Sequence, residues 1–247
     1  MTRTVRIGML TPSSNTVLEP VTSAMLSGLP DVTAHFSRFK VTEIALSDSS
    51  NRQFQISEIL RAADLLADAK VDVIAWNGTS GSWLGFDYDE MLCERITAAT
   101  GAPSCTSALT FREILKACGA QKIGLITPYM ADVQSKIIAN WAKEGLACKA
   151  ERHCGLQDNF SFAEVGEETI AQMAREVASE GCDAIAVVCT NMRGAPTAGR
   201  LESELRCPIY DSVATTLWKC LHLAGVDPSP LEGWGSLFQA GPWRLPS

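Results

Sequence analysis

No stretch of this 247-residue chain approaches the run of ~18 apolar residues that a membrane helix needs, so a spanning segment is not expected. Lysine and arginine never cluster, and the net charge is −7, which makes nucleic acid and anionic membrane surfaces poor partners. The nine cysteines are odd in number and include no CxxC pair; neither a disulfide framework nor a zinc site is expected of them. The three histidines, His35, His153 and His222, have no metal-like spacing and suggest no Ser–His–Asp grouping. The glycine-bearing loop at 77–82 lacks the lysine of a phosphate-binding loop. No metal and no cofactor are therefore implied. Met1 to Arg6 lead into a short strand-like run, without the longer apolar core and small-residue cleavage site of a signal peptide. The expected compartment is the cytoplasm.

What is present is a repeat. Arg6-Ile7-Gly8-Met9-Leu10-Thr11-Pro12 reappears as Lys122-Ile123-Gly124-Leu125-Ile126-Thr127-Pro128. Asp72-Val73-Ile74, leading to Asn77-Gly78-Thr79-Ser80, is matched by Asp183-Ala184-Ile185-Ala186, leading to Cys189-Thr190-Asn191. Ala102-Pro103 before Ser107 parallels Cys207-Pro208 before Ser212. The offsets are 116, 111 and 105, a steady drift that fits two diverged halves with altered loops.

Within each half, short apolar runs alternate with helical patterns. Strands are expected at 5–10, 33–39, 71–76, 122–127 and 183–188. Helices are expected at 55–70, 85–100 (stopped by Gly101), 131–143 and 164–180. The continuously apolar strands Val71–Trp76 and Asp183–Val188 suit parallel sheets buried on both faces. The expected fold is α/β: two similar lobes, each a parallel sheet flanked by helices, related by a pseudo-twofold with the active site between them. The first lobe would span 1–116, joined by 215–247, and the second 117–214. The Pro-, Gly- and Trp-rich tail after Gly225 reads as a surface strap.

Parallel sheets place functional loops at the carboxyl ends of their strands, and every repeated loop sits at such an end. Pro12-Ser13-Ser14-Asn15-Thr16 offers hydroxyls, an amide and backbone N–H groups beside a helix start: a carboxylate cradle or simply a helix cap. Gly78 lets backbone approach a ligand, and Thr79 and Ser80 add hydroxyls. Cys189 ends an apolar strand, where a protonated thiol can deliver a proton to carbon; the alternative is an inert buried cysteine. Tyr129, one of three tyrosines, can donate to a developing oxyanion. Asn159 on its own reads as a turn residue. Aligning Thr79 with Thr190 sets Gly78 opposite Cys189, one thiol where a symmetric design would have two. On that alignment, Gly78→Cys would install the second.

These residues resemble the aspartate/glutamate racemase superfamily, in its branch of maleate cis-trans isomerases and arylmalonate decarboxylases, over almost the whole chain. The loop at 12–16, Pro128-Tyr129 and Asp158-Asn159 look like the isomerases, whose carboxylate-binding groups map to Asn15, Tyr129 and Asn159. Their first cysteine corresponds to Gly78 and their second to Cys189. Gly78-Thr79-Ser80 with a single Cys189 resembles the decarboxylases, in which Thr79, Ser80 and Tyr129 would form a dioxyanion hole. The decarboxylases lack the Ser-Ser-Asn loop and follow their cysteine with glycines rather than Thr190-Asn191. The resemblance implies a cofactor-independent carbon-acid enzyme on a small dicarboxylate. Its reaction would be decarboxylation of a substituted malonate, with one-sided protonation of the enediolate by Cys189. Pro12, Ser13, Ser14, Asn15, Asn159, Thr190 and Asn191 would bind substrate. The alternatives are a maleate isomerase-like or Asp/Glu racemase-like isomerase with Gly78 in place of the first cysteine, and a non-catalytic carboxylate-binding protein. A homo-oligomer is compatible with either.

Overall fold

The computed structural model describes residues 3–239; Met1, Thr2 and residues 240–247 of the expected tail lie outside the described residues. Two four-stranded sheets form, and within each the strands pair in parallel. The first has the order β2-β1-β3-β4, from β1 (Val5–Pro12), β2 (Val32–Phe39), β3 (Val73–Trp76) and β4 (Ser104–Thr106). The second has the order β6-β5-β7-β8, from β5 (Ile123–Thr127), β6 (Cys148–His153), β7 (Ala184–Val187) and β8 (Ile209–Asp211). The same order in both halves bears out the expected pair of similar α/β lobes. Ten helices flank the sheets among the described residues: α1 (Leu18–Leu26), α2 (Asp48–Asn51), α3 (Ile56–Asp68), α4 (Gly81–Leu84), α5 (Phe86–Thr100), α6 (Ser107–Ala117), α7 (Ala131–Lys143), α8 (Glu167–Ser179), α9 (Ala195–Leu205) and α10 (Ser212–Leu223). None of them is long and apolar enough to cross a membrane.

The repeated residues have repeated jobs. Asp72 and Asp183 each pinch the entrance of the central strand: the Asp72 carboxylate accepts from Arg6 N at 2.8 Å, and Asp183 accepts from Lys122 N at 2.9 Å. Their own N–H groups donate to the carbonyls of the same partners, at 2.7 Å in both halves. The Ile-Gly pairs are packing devices. A Cβ at Gly8 would lie 3.2 Å from Leu66 of α3, and one at Gly124 would lie 3.0 Å from Val177 of α8. Each glycine therefore lets a helix settle closely on its sheet.

The short strands β4 and β8 escape periodicity because they are brief and buried. Thr106 accepts from Leu109 N at 3.1 Å and caps α6; Asp211 accepts from Val213 N at 2.7 Å and Ala214 N at 3.2 Å and caps α10. These two equivalent helices pack on one another across the lobes, with Ser107 and Thr216 sharing a 2.8 Å hydrogen bond. After α10 the chain is more than a surface strap, since Leu231, Leu237 and Phe238 are buried.

Each lobe also buries one carboxyl group against the loop that follows its third strand. Asp89 of α5 receives the Thr106 hydroxyl at 2.5 Å and stands where a side chain at Gly81 would go. Asp211 stands in the same relation to Gly194. Burial pushes both carboxyls up to about 7, although the Thr106 hydroxyl and Arg112 oppose this at Asp89, as backbone N–H groups do at Asp211. A folded pKa above the unfolded value of 3.8 means that the native state holds the proton longer. Stability is then lost as pH rises from about 4 through about 7. Urea midpoints should accordingly be lower at pH 8 than at pH 5. Asp89→Asn should remove part of that difference, by more than ~1 kcal/mol. A variant with the same pH dependence as the parent would exclude Asp89 as a source.

Candidate active site

The carboxyl ends of β1, β3, β5 and β7 meet at one cleft, and polar side chains of the repeated loops lock it. The Asn15 amide oxygen accepts from Val17 N at 3.0 Å and Leu18 N at 2.9 Å, holding the start of α1. Its nitrogen donates to Thr190 at 3.1 Å, and the Thr190 hydroxyl donates to the Asn77 carbonyl at 2.9 Å. Asn191 mirrors this from the other lobe: its oxygen accepts from Thr16 N at 2.9 Å, and its nitrogen donates to the Asn159 carbonyl at 2.6 Å. The Asn159 amide donates to Ser14 at 2.7 Å, and Ser14 donates to the Val41 carbonyl at 2.7 Å. Ser13 accepts from Val41 N at 3.2 Å. Helix capping and lobe-to-lobe bonding thus engage the same residues.

Inside this frame lies a small cavity of about 20 Å³. Of the residues expected at the site, Pro12, Gly78, Thr79, Ser80, Tyr129, Asn159, Cys189 and Thr190 line it. Ser13, Ser14, Asn15 and Asn191 do not; they stand behind it as the network just described. Sequence reasoning missed the apolar part of the wall: Val41, Ile44, Phe54, Trp76 and Trp83. Val41 to Phe54 belong to a connection without periodicity, held to the second lobe where Ile44 N donates to the Gln157 carbonyl at 2.9 Å. The one available signal for Trp76 was a large aromatic placed two residues before the glycine.

The polar groups of the wall are arranged around Tyr129. Its hydroxyl shares a 2.7 Å hydrogen bond with Thr79, and Cys189 lines the same cavity. Aromatic edges of Trp83 and Phe162 hold the ring, with centroids 5.3 and 5.4 Å away. Burial pushes the Cys189 thiol up to about 12, while the Asn191 N–H and the Tyr129 hydroxyl favour the thiolate and moderate the rise. Burial likewise holds the Tyr129 hydroxyl well above its ordinary range. Both groups keep their protons at neutral pH. Once Cys189 gives up its proton, the Asn191 N–H, 3.3 Å from sulfur, is already in place to stabilise the anion. Among the described residues, no cluster of three His, Cys, Asp or Glu side chains is arranged to hold a metal ion.

The wall opposite the thiol departs from the expectation drawn from the repeat. A Cβ at Gly78 would fall 2.0 Å from Cζ2 and 2.1 Å from Cε2 of Trp76. The Gly78 backbone is not left-handed, so the obstacle is the indole and not the main chain. The simple exchange Gly78→Cys therefore has no room as the site stands.

Residues 7–238 match the family model described as arylmalonate decarboxylase. A maleate isomerase of Pseudomonas putida is 26% identical over 92% of this chain and 95% of its own length. The arylmalonate decarboxylase of Bordetella bronchiseptica is 24% identical over 95% and 97%. In fold, the chain superposes with a TM-score of 0.87 on a Nocardia farcinica maleate cis-trans isomerase variant carrying a covalently bound succinylcysteine intermediate. That pair is 22% identical, with 96% of this chain and 99% of the other covered.

The protonated, enclosed state of Cys189 is directly testable. With its thiol held near 12, Cys189 should react with iodoacetamide at pH 8 at least ~10²-fold more slowly than free cysteine, because only the thiolate attacks. Site-resolved mass spectrometry over a time course measures this; alkylation at the rate of an ordinary exposed thiol would contradict the burial argument.

Proposed function

We propose that this chain, which belongs to the arylmalonate decarboxylase family, decarboxylates a small substituted malonate without a cofactor and protonates the resulting enediolate from one face. The observation that carries this reading is the asymmetry of the cavity: one protonated thiol, Cys189, on one wall, and Gly78 beneath an indole on the other.

One malonate carboxylate is bound by the hydroxyls of Thr79, Ser80 and Tyr129. The other faces Val41, Ile44, Phe54 and Trp83, an apolar surface that suits CO2 better than an anion. The bond between the α-carbon and this second carboxylate breaks and CO2 leaves. The bond's electron pair passes into the retained carboxylate as an enediolate. The three hydroxyls bind this species more tightly than the ground state because its oxygens carry more charge. The Cys189 thiol gives its proton to the α-carbon. The thiolate, held by the Asn191 N–H and the Tyr129 hydroxyl, regains a proton from water. Asn15, Thr190, Asn159 and Asn191 fix the geometry of these groups by joining the lobes.

Isomerisation of a maleate-type substrate is the second reading. It is favoured by the relatives named maleate isomerase and by the Pro12–Asn15 loop, and it would need another group to replace the thiol missing at Gly78. Assaying substituted malonates for CO2 release and maleate for fumarate separates the two. A chain that binds dicarboxylates and turns over neither would be a binding protein.

Cys189→Ala should lower malonate turnover by at least ~10²-fold, the low end of a general-acid contribution. With the parent enzyme in D2O, the monoacid product should be a single deuterated enantiomer. A racemic product would show that a second donor reaches the intermediate.

A further inference from the structure

Gly78 is a glycine because of what stands beside it. The Trp76 side chain is fully buried, lines the same cavity as Cys189, and is clamped by Phe39 and Phe54, with ring centroids 5.0 and 6.4 Å away. The edge of its indole formed by Cζ2, Cε2 and Nε1 lies 2.0–2.7 Å from the Cβ position of residue 78. Real side chains do not approach so closely, so one site holds either the indole or a side chain at 78. The position equivalent to Trp76 in the second half is Val187, ahead of Cys189, and a valine leaves the thiol its space.

The indole does a second thing. Its N–H lies 3.2 Å from Ser80 Oγ. An indole nitrogen is a donor only, so the Ser80 oxygen must accept there, and the hydroxyl proton of Ser80 is turned to another partner. Ser80 lines the cavity, so a bound carboxylate is available to take that proton.

We propose that Trp76 is the specificity-determining residue of this site: its indole occupies the place of a thiol opposite Cys189, closing one face to proton transfer, and it orients the Ser80 hydroxyl toward the substrate carboxylate. This rests on the carbon-acid reading above. The substrate class follows from it: with the indole in the wall, the α-substituent nearest Gly78 must be small, a hydrogen or methyl rather than an aryl ring.

The test is a double-mutant cycle that needs no turnover, followed by one that does. Gly78→Ala and Gly78→Cys are each made in the parent and in Trp76→Met, whose flexible side chain can yield space. In the parent, each substitution should lower Tm by about 5 °C or more, the scale of overpacking in a chain of this size. In Trp76→Met the same substitutions should cost less than half of that. Equal losses in the two backgrounds, no loss in the parent, or failure of only the double variant to fold would overturn the proposal, whatever the enzyme's reaction proves to be.

In D2O, the chiral product of an alkyl-substituted methylmalonate should then be racemised by Trp76→Met/Gly78→Cys at least about tenfold faster than by either single variant, a barrier difference of about 1.4 kcal/mol. There one cysteine removes the α-proton as a thiolate while the other delivers a deuteron. A folded double variant that racemises no faster than the single variants would remove Trp76 as the determinant of one-sided chemistry. Trp76→Phe, which keeps a ring and loses the N–H, should lower kcat several-fold with little change in KM. The reverse split would assign the ring to packing alone.

Discussion

The two lobes are joined through side-chain amides that do not themselves line the reaction chamber. Asn191 holds the first turn of α1 from across the cleft, and Asn15 reaches back to Thr190 and through it to the loop bearing Gly78. Everything else at the site depends on this cross-bracing. Cys189 and Tyr129 belong to one lobe, Thr79 and Ser80 to the other, and a small displacement between lobes would separate donor from acceptor. Buried, mutually satisfied amides are suited to the task because an opened network would leave several polar groups unpaired in a low-dielectric interior.

The cavity this bracing encloses is largely apolar, and its few polar atoms are aimed at one another. Burial makes the thiolate costly, and Cys189 holds its proton at neutral pH. The Thr79–Tyr129 hydrogen bond joins the two lobes in the wall that also holds Cys189. The same environment keeps the Tyr129 hydroxyl available as a donor.

The pseudo-twofold places equivalent backbone in both lobes at the cavity, and side chains break that symmetry. Trp76 with Gly78 fills one wall; Val187 with Cys189 leaves a thiol on the other. The buried carboxyls show a similar economy. The second lobe puts Asp211 at the end of β8, whereas the first has Thr106 there and borrows Asp89 from α5 to reach the same loop. Two halves of common design thus support one chemistry with different parts.

Much of this was legible in the chain itself. The repeated Ile-Gly-x-x-Thr-Pro runs, the paired aspartates and the strand-end loops located both sheets and seven of the residues that line the cavity, because parallel strands carry their functional loops at one end whatever follows, while Asn159 was reached only through the family resemblance. Cys189 and Gly78 stood out by alignment of the halves alone. Short, fully buried elements such as β4 and β8 carry no periodicity to read. The roles of Asn15 and Asn191 required three dimensions, because a polar residue in a loop beside a helix start can bind a ligand, cap the helix or bridge to another lobe, and only the partners' positions distinguish these. The case of Trp76 is sharper still. Sequence places it two residues from Gly78 on an apolar strand, where alternation alone says nothing of ring orientation. Tertiary packing against Phe39 and Phe54 turns the indole across the glycine, and that contact decides what a second thiol would have to displace.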